Sequence, residues 1–335
     1  MVCVFAYYID GFCDAIQQGS PIHLFPILMM KRFLLRLLVY VSVYVILHVI
    51  VVCAVGPYIT FYHPESGGHM FSRTKEIPEH KNPDVLFLGS SHAYRGFDPR
   101  IFDKAGIVSF NLGSSSQTPM QTEVLLKKYL DEICPKCIVF DVYPIVFQMD
   151  GIESTADLIS CDHIDAEICK LAFKSGNVKI INTLIYGLYQ EYVRDIRNIL
   201  DERTIIDGDL YVPGGYVERL TNPTYLDSSS IEEKTIEVLP KQLSAFGRCI
   251  QMIQDRGIPF LLVQAPLPQN TYHNLLNYNE FNDIIASFGD YIDFNEVLRL
   301  DDSCFYDTNH LNQKGVELYD DCLIRVLDSL KFPLK

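Results

Sequence analysis

Two short patches far apart in the chain hold side chains that together can carry out acyl transfer. Gly89-Ser90-Ser91-His92 closes an apolar run, and Asp307-Thr308-Asn309-His310-Leu311 lies near the C-terminus. A serine hydroxyl is a poor nucleophile near neutral pH. It needs an imidazole to take its proton and a carboxylate to hold that imidazole in one tautomer. Ser91, His310 and Asp307 fit those three roles. The D-x-x-H spacing sets Asp307 and His310 within one turn, so the carboxylate can reach one ring nitrogen while the other faces the serine. Ser90 is the competing nucleophile, and His92 reads as a solvent-facing helix residue.

The same chemistry needs hydrogen-bond donors for the oxyanion of a tetrahedral intermediate. A serine just beyond a buried strand, followed by a helical patch from His92 to Gly96, offers its own amide near a helix start. Gly113, in Asn111-Leu112-Gly113-Ser114, can bring a second backbone N–H close because it has no side chain. The expected oxyanion donors are therefore the amides of Ser91 and Gly113.

Strands and helices in alternation must position these patches, a pattern that argues for a parallel sheet covered by helices on both faces. Asp84 to Leu88 is a continuous apolar run of strand length, as expected of a central strand buried on both sides. Ile107 to Leu112 reads as the second strand, Thr118 to Ile133 as a helix and Cys137 to Val142 as the third strand. Leu239 to Asp255 is helical, Phe260 to Gln264 is a fourth strand, Phe281 to Phe288 a helix and Tyr291 to Phe294 a short fifth strand. Asn312 reads as the N-cap of an amphipathic helix from Gln313 to Leu330, which would fix the loop bearing Asp307 and His310. Between Phe147 and Pro240, residues 147–240 in outline, lies a tyrosine-rich segment read as an insertion over the active edge of the sheet. Tyr186, Tyr189 and Tyr192 could stack on sugar rings, although their spacing of three suits a packed helix face better.

From Leu37 to Gly56 the chain runs without a formal charge. At about 1.5 Å per residue that run is long enough to cross a bilayer core of about 30 Å, and it exceeds the usual signal-peptide core. It is read as a retained transmembrane anchor. Lys31, Arg32 and Arg36 precede it and no comparable basic group follows, so the positive-inside rule puts the N-terminus in the cytoplasm and the rest outside. The segment before Met30 fits neither a signal nor a domain; residues 1–29 are read as a non-native extension from a misplaced start. Residues 57–82 read as a linker, and Cys53 lacks the small preceding residue of a lipid-anchor site.

The chain has 335 residues, 48% of them hydrophobic, enough for a sizeable core and too many for a disordered chain. A formal net charge of −14, with no basic cluster beyond the N-terminal region, excludes nucleic acid as a partner. Cys134 and Cys137 have C-x-x-C spacing without a second pair and read as a helix-to-strand turn with incidental thiols. With no P-loop, dinucleotide fingerprint or metal cluster, no cofactor is expected.

The serine patch first and the Asp-x-x-His patch last, at strand ends of an α/β pattern, resemble the SGNH/GDSL hydrolase superfamily over about Asp84 to Leu330. The resemblance implies a flavodoxin-like three-layer α/β/α sandwich, with Ser91 as nucleophile, His310 as base, Asp307 as its orienting acid and Gly113 as an oxyanion donor. Gly-Ser-Ser-His followed by Gly96-Phe97-Asp98-Pro99, behind one anchor, looks more narrowly like the membrane-tethered bacterial members. Those include the D-alanyl transfer protein of lipoteichoic acid synthesis and alginate O-acetyltransferases. It implies an esterase or O-acyltransferase acting on an acyl-bearing envelope glycan or lipid-linked sugar, with a membrane acyl-donor protein as a further partner. A non-catalytic accessory subunit would use the same fold. The superfamily's third block supplies an asparagine donor after the third strand; here that place reads Asp141-Val142-Tyr143-Pro144. Losing one such donor typically costs about 100- to 1,000-fold in turnover.

Overall fold

The computed structural model of the chain describes residues 24–66, 68–221 and 233–334. Residues 1–23 of the expected N-terminal extension lie outside the described residues. Helix α1 (Leu24–Ile59) takes in the remaining residues of that expected extension, 24–29. Most of its apolar side chains are exposed, among them Leu35, Leu38, Tyr40 and Ile46, while Val52 near its end is buried. By length and composition, Ile27–Ile59 of this helix is apolar enough to cross a membrane. Regular geometry breaks at Val55 (φ −120°, ψ 16°), two residues before Pro57. Proline lacks the N–H that the carbonyl four residues earlier would accept, and its ring crowds that carbonyl. The chain divides at this kink into two compact units, Met1–Val55 and Gly56–Lys335.

The second unit is built on a five-stranded sheet of β1 (Val85–Leu88), β2 (Ser109–Asn111), β3 (Cys137–Asp141), β7 (Phe260–Gln264) and β8 (Tyr291–Asp293). Their order is β2-β1-β3-β7-β8. All neighbours run parallel, with Val85 beside both Ser109 and Cys137, Val139 beside Leu261 and Val263 beside Ile292. This is the flavodoxin-like order of a doubly wound sheet, whose sites form beyond the carboxyl ends of the strands.

Because successive strand residues point to opposite faces, the apolar runs feed two cores at once. Leu86, Leu88, Phe110, Ile138 and Phe140 pack with helices α4 (Pro119–Ile133) and α8 (Pro240–Asp255) on one face. Val85, Phe87, Val139 and Val263 pack on the other face with Phe102 of α3 (Pro99–Lys104) and with Val316, Tyr319 and Leu323 of α10 (Gln313–Ser329). Sheet and two helical layers make the expected α/β/α sandwich. The ring of Phe87 stacks on Phe97 at 4.2 Å, which seats the loop after the serine patch on the central strand.

Several boundaries differ from the pattern reading. The second strand is only three residues long, and helix α9 (Tyr278–Ala286) begins before Phe281 because Tyr278, Phe281 and Ile285 share its buried face. Residues 57–82 are not a loose tether: a short helix, Met70–Glu76, buries Met70 and Phe71 in the first core. The segment after Phe147 folds as α5 (Ile152–Cys161), α6 (Ala166–Lys174) and α7 (Val178–Tyr192). An antiparallel sheet of β4 (Ile205–Ile206), β5 (Asp209–Val212) and β6 (Tyr216–Arg219) follows. The β5–β6 turn abuts β2, where Asn111 N–H donates to the Gly214 carbonyl at 2.9 Å. Tyr186 is buried on α7 against Tyr62, Tyr189 packs beside it and Tyr192 is exposed. Packing explains the first two tyrosines. Cys134 ends α4 in a left-handed conformation and Cys137 opens β3 buried, the turn that the C-x-x-C pair was read as.

Candidate active site

Strand β1 delivers its chain to the sheet edge at Leu88, and Gly89 then turns it sharply with φ 142°. A Cβ at Gly89 would lie 3.0 Å from the Asp141 Cβ and carbonyl oxygen, so the turn can press against the end of β3 only without a side chain. The Ser90 carbonyl accepts from Ala93 N–H at 3.0 Å and Tyr94 N–H at 3.3 Å, which starts α2 (Ser91–Tyr94). Ser90 itself is buried, and among the described residues its hydroxyl has no partner. Ser91 is half-buried and faces the site.

From the other end of the chain, His310 Nε2 lies 2.8 Å from Ser91 Oγ. His310 Nδ1 lies 2.9 Å and 3.1 Å from the two carboxylate oxygens of Asp307. Asp307 Oδ1 also accepts from the Asn309 and His310 backbone N–H groups, both at 2.8 Å. Burial alone would raise this carboxyl. The hydrogen bond and charge of His310, with the two backbone donors, outweigh it and hold the carboxyl down at about 2. The three residues singled out in the sequence are thus hydrogen-bonded in the order hydroxyl, imidazole, carboxylate.

The loop bearing the last two is braced from both sides. Tyr306 N–H donates to the His310 carbonyl at 2.8 Å, and Phe305 and Leu311 form an antiparallel bridge. Asn312 caps α10 by accepting from Gly315 N–H at 3.1 Å, as its position suggested. Its amide also donates back to the Ser303 and Phe305 carbonyls at 2.8 and 3.2 Å, so one side chain fixes both the helix start and the loop ahead of it.

His92 corrects the surface reading given to it. Its ring is buried, stacks on Tyr143 at 3.9 Å and lies 5.2 Å from the His310 ring. Desolvation, and then the neighbouring His310, push its pKa well below the ordinary value, so it is a neutral ring at the back of the site. The hydroxyl of Tyr143, which stands in the third-block region, donates to Asn309 Oδ1 at 2.7 Å. Neither contact is visible in local patterning: Tyr143 and Asn309 are 166 positions apart.

Gly113 is placed next to the turn that carries Ser90 and Ser91 but is used differently from the expectation. A Cβ there would lie 2.9 Å from Ala93 Cβ and from the Ser90 carbonyl oxygen, so the residue is small for close packing. Its N–H donates to Asn111 Oδ1 at 2.9 Å, while Asn111 Nδ2 donates to the Ala93 carbonyl at 2.8 Å. The expected oxyanion donor is therefore engaged inside the protein. Ser91 N–H, in the first turn of α2, has no carbonyl partner among the described residues. At the end of β3, Asp141 accepts from Ala265 N–H at 3.1 Å, and burial pushes its carboxyl up to about 7.

A cavity of about 190 Å³ opens beside Asp307 and His310, with Tyr216 and Tyr306 among its walls. The arrangement can move a proton from Ser91 to His310 as a carbonyl carbon is attacked, with Asp307 stabilising the imidazolium.

No protein-family model and no curated protein matches the chain. Among solved structures it is similar to a proposed acylhydrolase from Bacteroides fragilis NCTC 9343, at 10% identity over 77% of this chain and 94% of that one, with a TM-score of 0.39. It is also similar to a GDSL-like lipase from Bacteroides thetaiotaomicron VPI-5482, at 10% identity over 79% and 100% of the two chains, again with a TM-score of 0.39. At that distance, any assignment of chemistry has to come from the side chains themselves.

Proposed function

We propose that the chain is a membrane-anchored serine esterase or O-acyltransferase that works through an acyl-serine intermediate on an envelope glycan or lipid-linked sugar. The observation that carries this reading is the hydrogen-bonded series of Ser91, His310 and Asp307. Ser91 Oγ bonds to the acyl carbon as its proton passes to His310. The proton then goes to the departing alkoxide as the old ester bond breaks. Water or a second hydroxyl, deprotonated by the same imidazole, attacks the acyl carbon, and the bond to Ser91 Oγ breaks as that oxygen takes the proton back from His310. Whether water or a sugar accepts depends on how well the bound acceptor excludes water. The apolar α1 with Lys31, Arg32 and Arg36 at its start supports an anchor with a cytoplasmic N-terminus and the site outside.

One observation favours a second reading, a non-catalytic accessory subunit of an envelope acylation system: Gly113 N–H is already engaged and the third-block asparagine is missing. A fluorophosphonate probe on the full chain in nonionic detergent separates the two. Labelling at Ser91 that is lost in Ser91→Ala and His310→Ala supports the enzyme. An intact chain that never labels supports the accessory subunit.

A further inference from the structure

The cavity beside His310 is also lined by two arginines, Arg95 just after α2 and Arg219 at the end of β6. Both are tied to one carboxylate. Arg95 Nη1 and Nη2 donate to the two oxygens of Asp209 at 3.0 and 2.7 Å, and Arg219 Nη1 donates to Asp209 Oδ1 at 2.8 Å. The Asp209 side chain is only 4% exposed, while those of Arg95 and Arg219 remain 17% and 27% exposed. The acid is therefore sealed behind the two cations, which keep edges toward solvent. Among the described residues, Asp209 is the only carboxylate paired with either arginine. Glu218, next in the same strand, is taken up by Arg100 at 2.7 Å.

Two guanidiniums against one carboxylate leave one positive charge at this wall. The one acid of the lining, Asp307, is matched by His310 once the imidazole takes the serine proton. The Arg219 guanidinium carbon lies over the Tyr306 ring, 4.9 Å from its centroid, and its Nε donates to Thr221 Oγ1 at 3.0 Å, so it is pre-positioned. On the acyl-serine reading His310 hands its proton to the leaving alcohol, so a cavity lined by His310 receives the alcohol half of the ester.

We propose that this cavity is an anion subsite that holds a carboxylate or phosphate carried on the alcohol half of the substrate, an inference that rests on the acyl-serine reading above. Planar guanidiniums recognise either group by paired charge-assisted hydrogen bonds. The subsite works most strongly when His310 is cationic, so it lowers the barrier as well as improving binding.

The test uses the full chain in nonionic detergent. Hydrolysis is compared for the acetate esters of para-hydroxybenzoate, para-hydroxybenzamide and para-hydroxyphenyl phosphate. Calorimetry on the Ser91→Ala chain measures binding of the parent alcohols. The expected result is an anionic ester cleaved, and an anionic alcohol bound, about tenfold better than the amide. That margin collapses in Arg219→Gln and returns in part in Arg219→Lys, with melting temperatures showing that both variants fold. The better of the two anions identifies the group. Equal handling of acid, phosphate and amide, or a margin that survives Arg219→Gln, overturns the subsite. Anion-selective binding without cleavage of any ester would instead sink the acyl-serine reading and leave the subsite standing.

Discussion

Replacing Asp307 by asparagine separates the chemistry of the site from its architecture. The Oδ1 atom can still accept from the Asn309 and His310 backbone N–H groups, each at 2.8 Å in the native loop, so the loop keeps its shape. What changes is the partner of His310 Nδ1, which now sits beside an amide N–H in place of a carboxylate oxygen at 2.9 Å. The neutral ring then prefers the tautomer with its proton on Nε2, facing Ser91, and cannot act as a base. The charge lost is also substantial. Opposite charges about 4 Å apart at an effective dielectric near 20 attract by about 4 kcal/mol, worth about 10³ in rate when only the imidazolium form benefits. With the tautomer reversed, the expected loss is about 10⁴. The assay is the rate of fluorophosphonate labelling and of acetate release from para-nitrophenyl acetate, alongside the melting temperature. A folded Asp307→Asn chain within about tenfold of wild type would refute the assignment of base and orienting acid.

Substitutions at three further positions test the frame. Asn312→Ala removes a cap worth about 1 kcal/mol and two bonds to the preceding loop, so turnover should fall by more than the melting temperature explains; Asn312→Asp, which keeps the cap alone, should restore stability more than activity. Asp141, raised by burial to about 7 against an ordinary 3.8, is a carboxyl that the folded state prefers protonated. Stability should therefore fall as pH rises from about 4 to about 7 through this group, and Asp141→Asn should flatten that part of the slope in denaturant midpoints measured across pH, leaving the shares of Asp157 and Asp320, which burial also raises. Phe87→Ala empties a site packed by Phe97 and Phe102 and should cost about 3–5 kcal/mol in denaturant unfolding.

What could be read from the chain was local or periodic. The runs that became β1, β3 and β7 are apolar on both faces because each face has its own core, so composition alone marks them as central strands. The Asn312 cap and the D-x-x-H turn are short-range hydrogen-bond patterns, and both took the predicted form. The β5–β6 hairpin was missed although its signal is present: Leu210-Tyr211-Val212 and Tyr216-Val217, residues of high strand propensity, flank the turn residues Pro213-Gly214-Gly215. Burial of His92 was not legible, since it depends on a ring from the end of β3. The clamp of Arg95 and Arg219 on Asp209 joins the turn after α2 to a hairpin 114 positions away from it, a distance at which spacing carries no information.

The fate of the third-block position bears directly on how such a site would work. In the superfamily that the sequence resembles, the residue after the third strand serves the oxyanion. Here Tyr143 turns its hydroxyl to Asn309 and its ring to His92, so the end of β3 supports the imidazole side of the site. On the acyl-serine reading, charge on the attacked carbonyl then falls to Ser91 N–H and to Gly113 N–H, and the latter must first exchange Asn111 Oδ1 for the substrate oxygen. Exchanging one acceptor for another costs little when the incoming oxygen carries a full negative charge and more when it is a neutral carbonyl. An N–H held this way favours the tetrahedral state over the bound ester, which is the direction that catalysis requires. Asn111 also receives the hairpin turn through its own N–H, so the position that restrains the donor is the one where the second sheet meets the first.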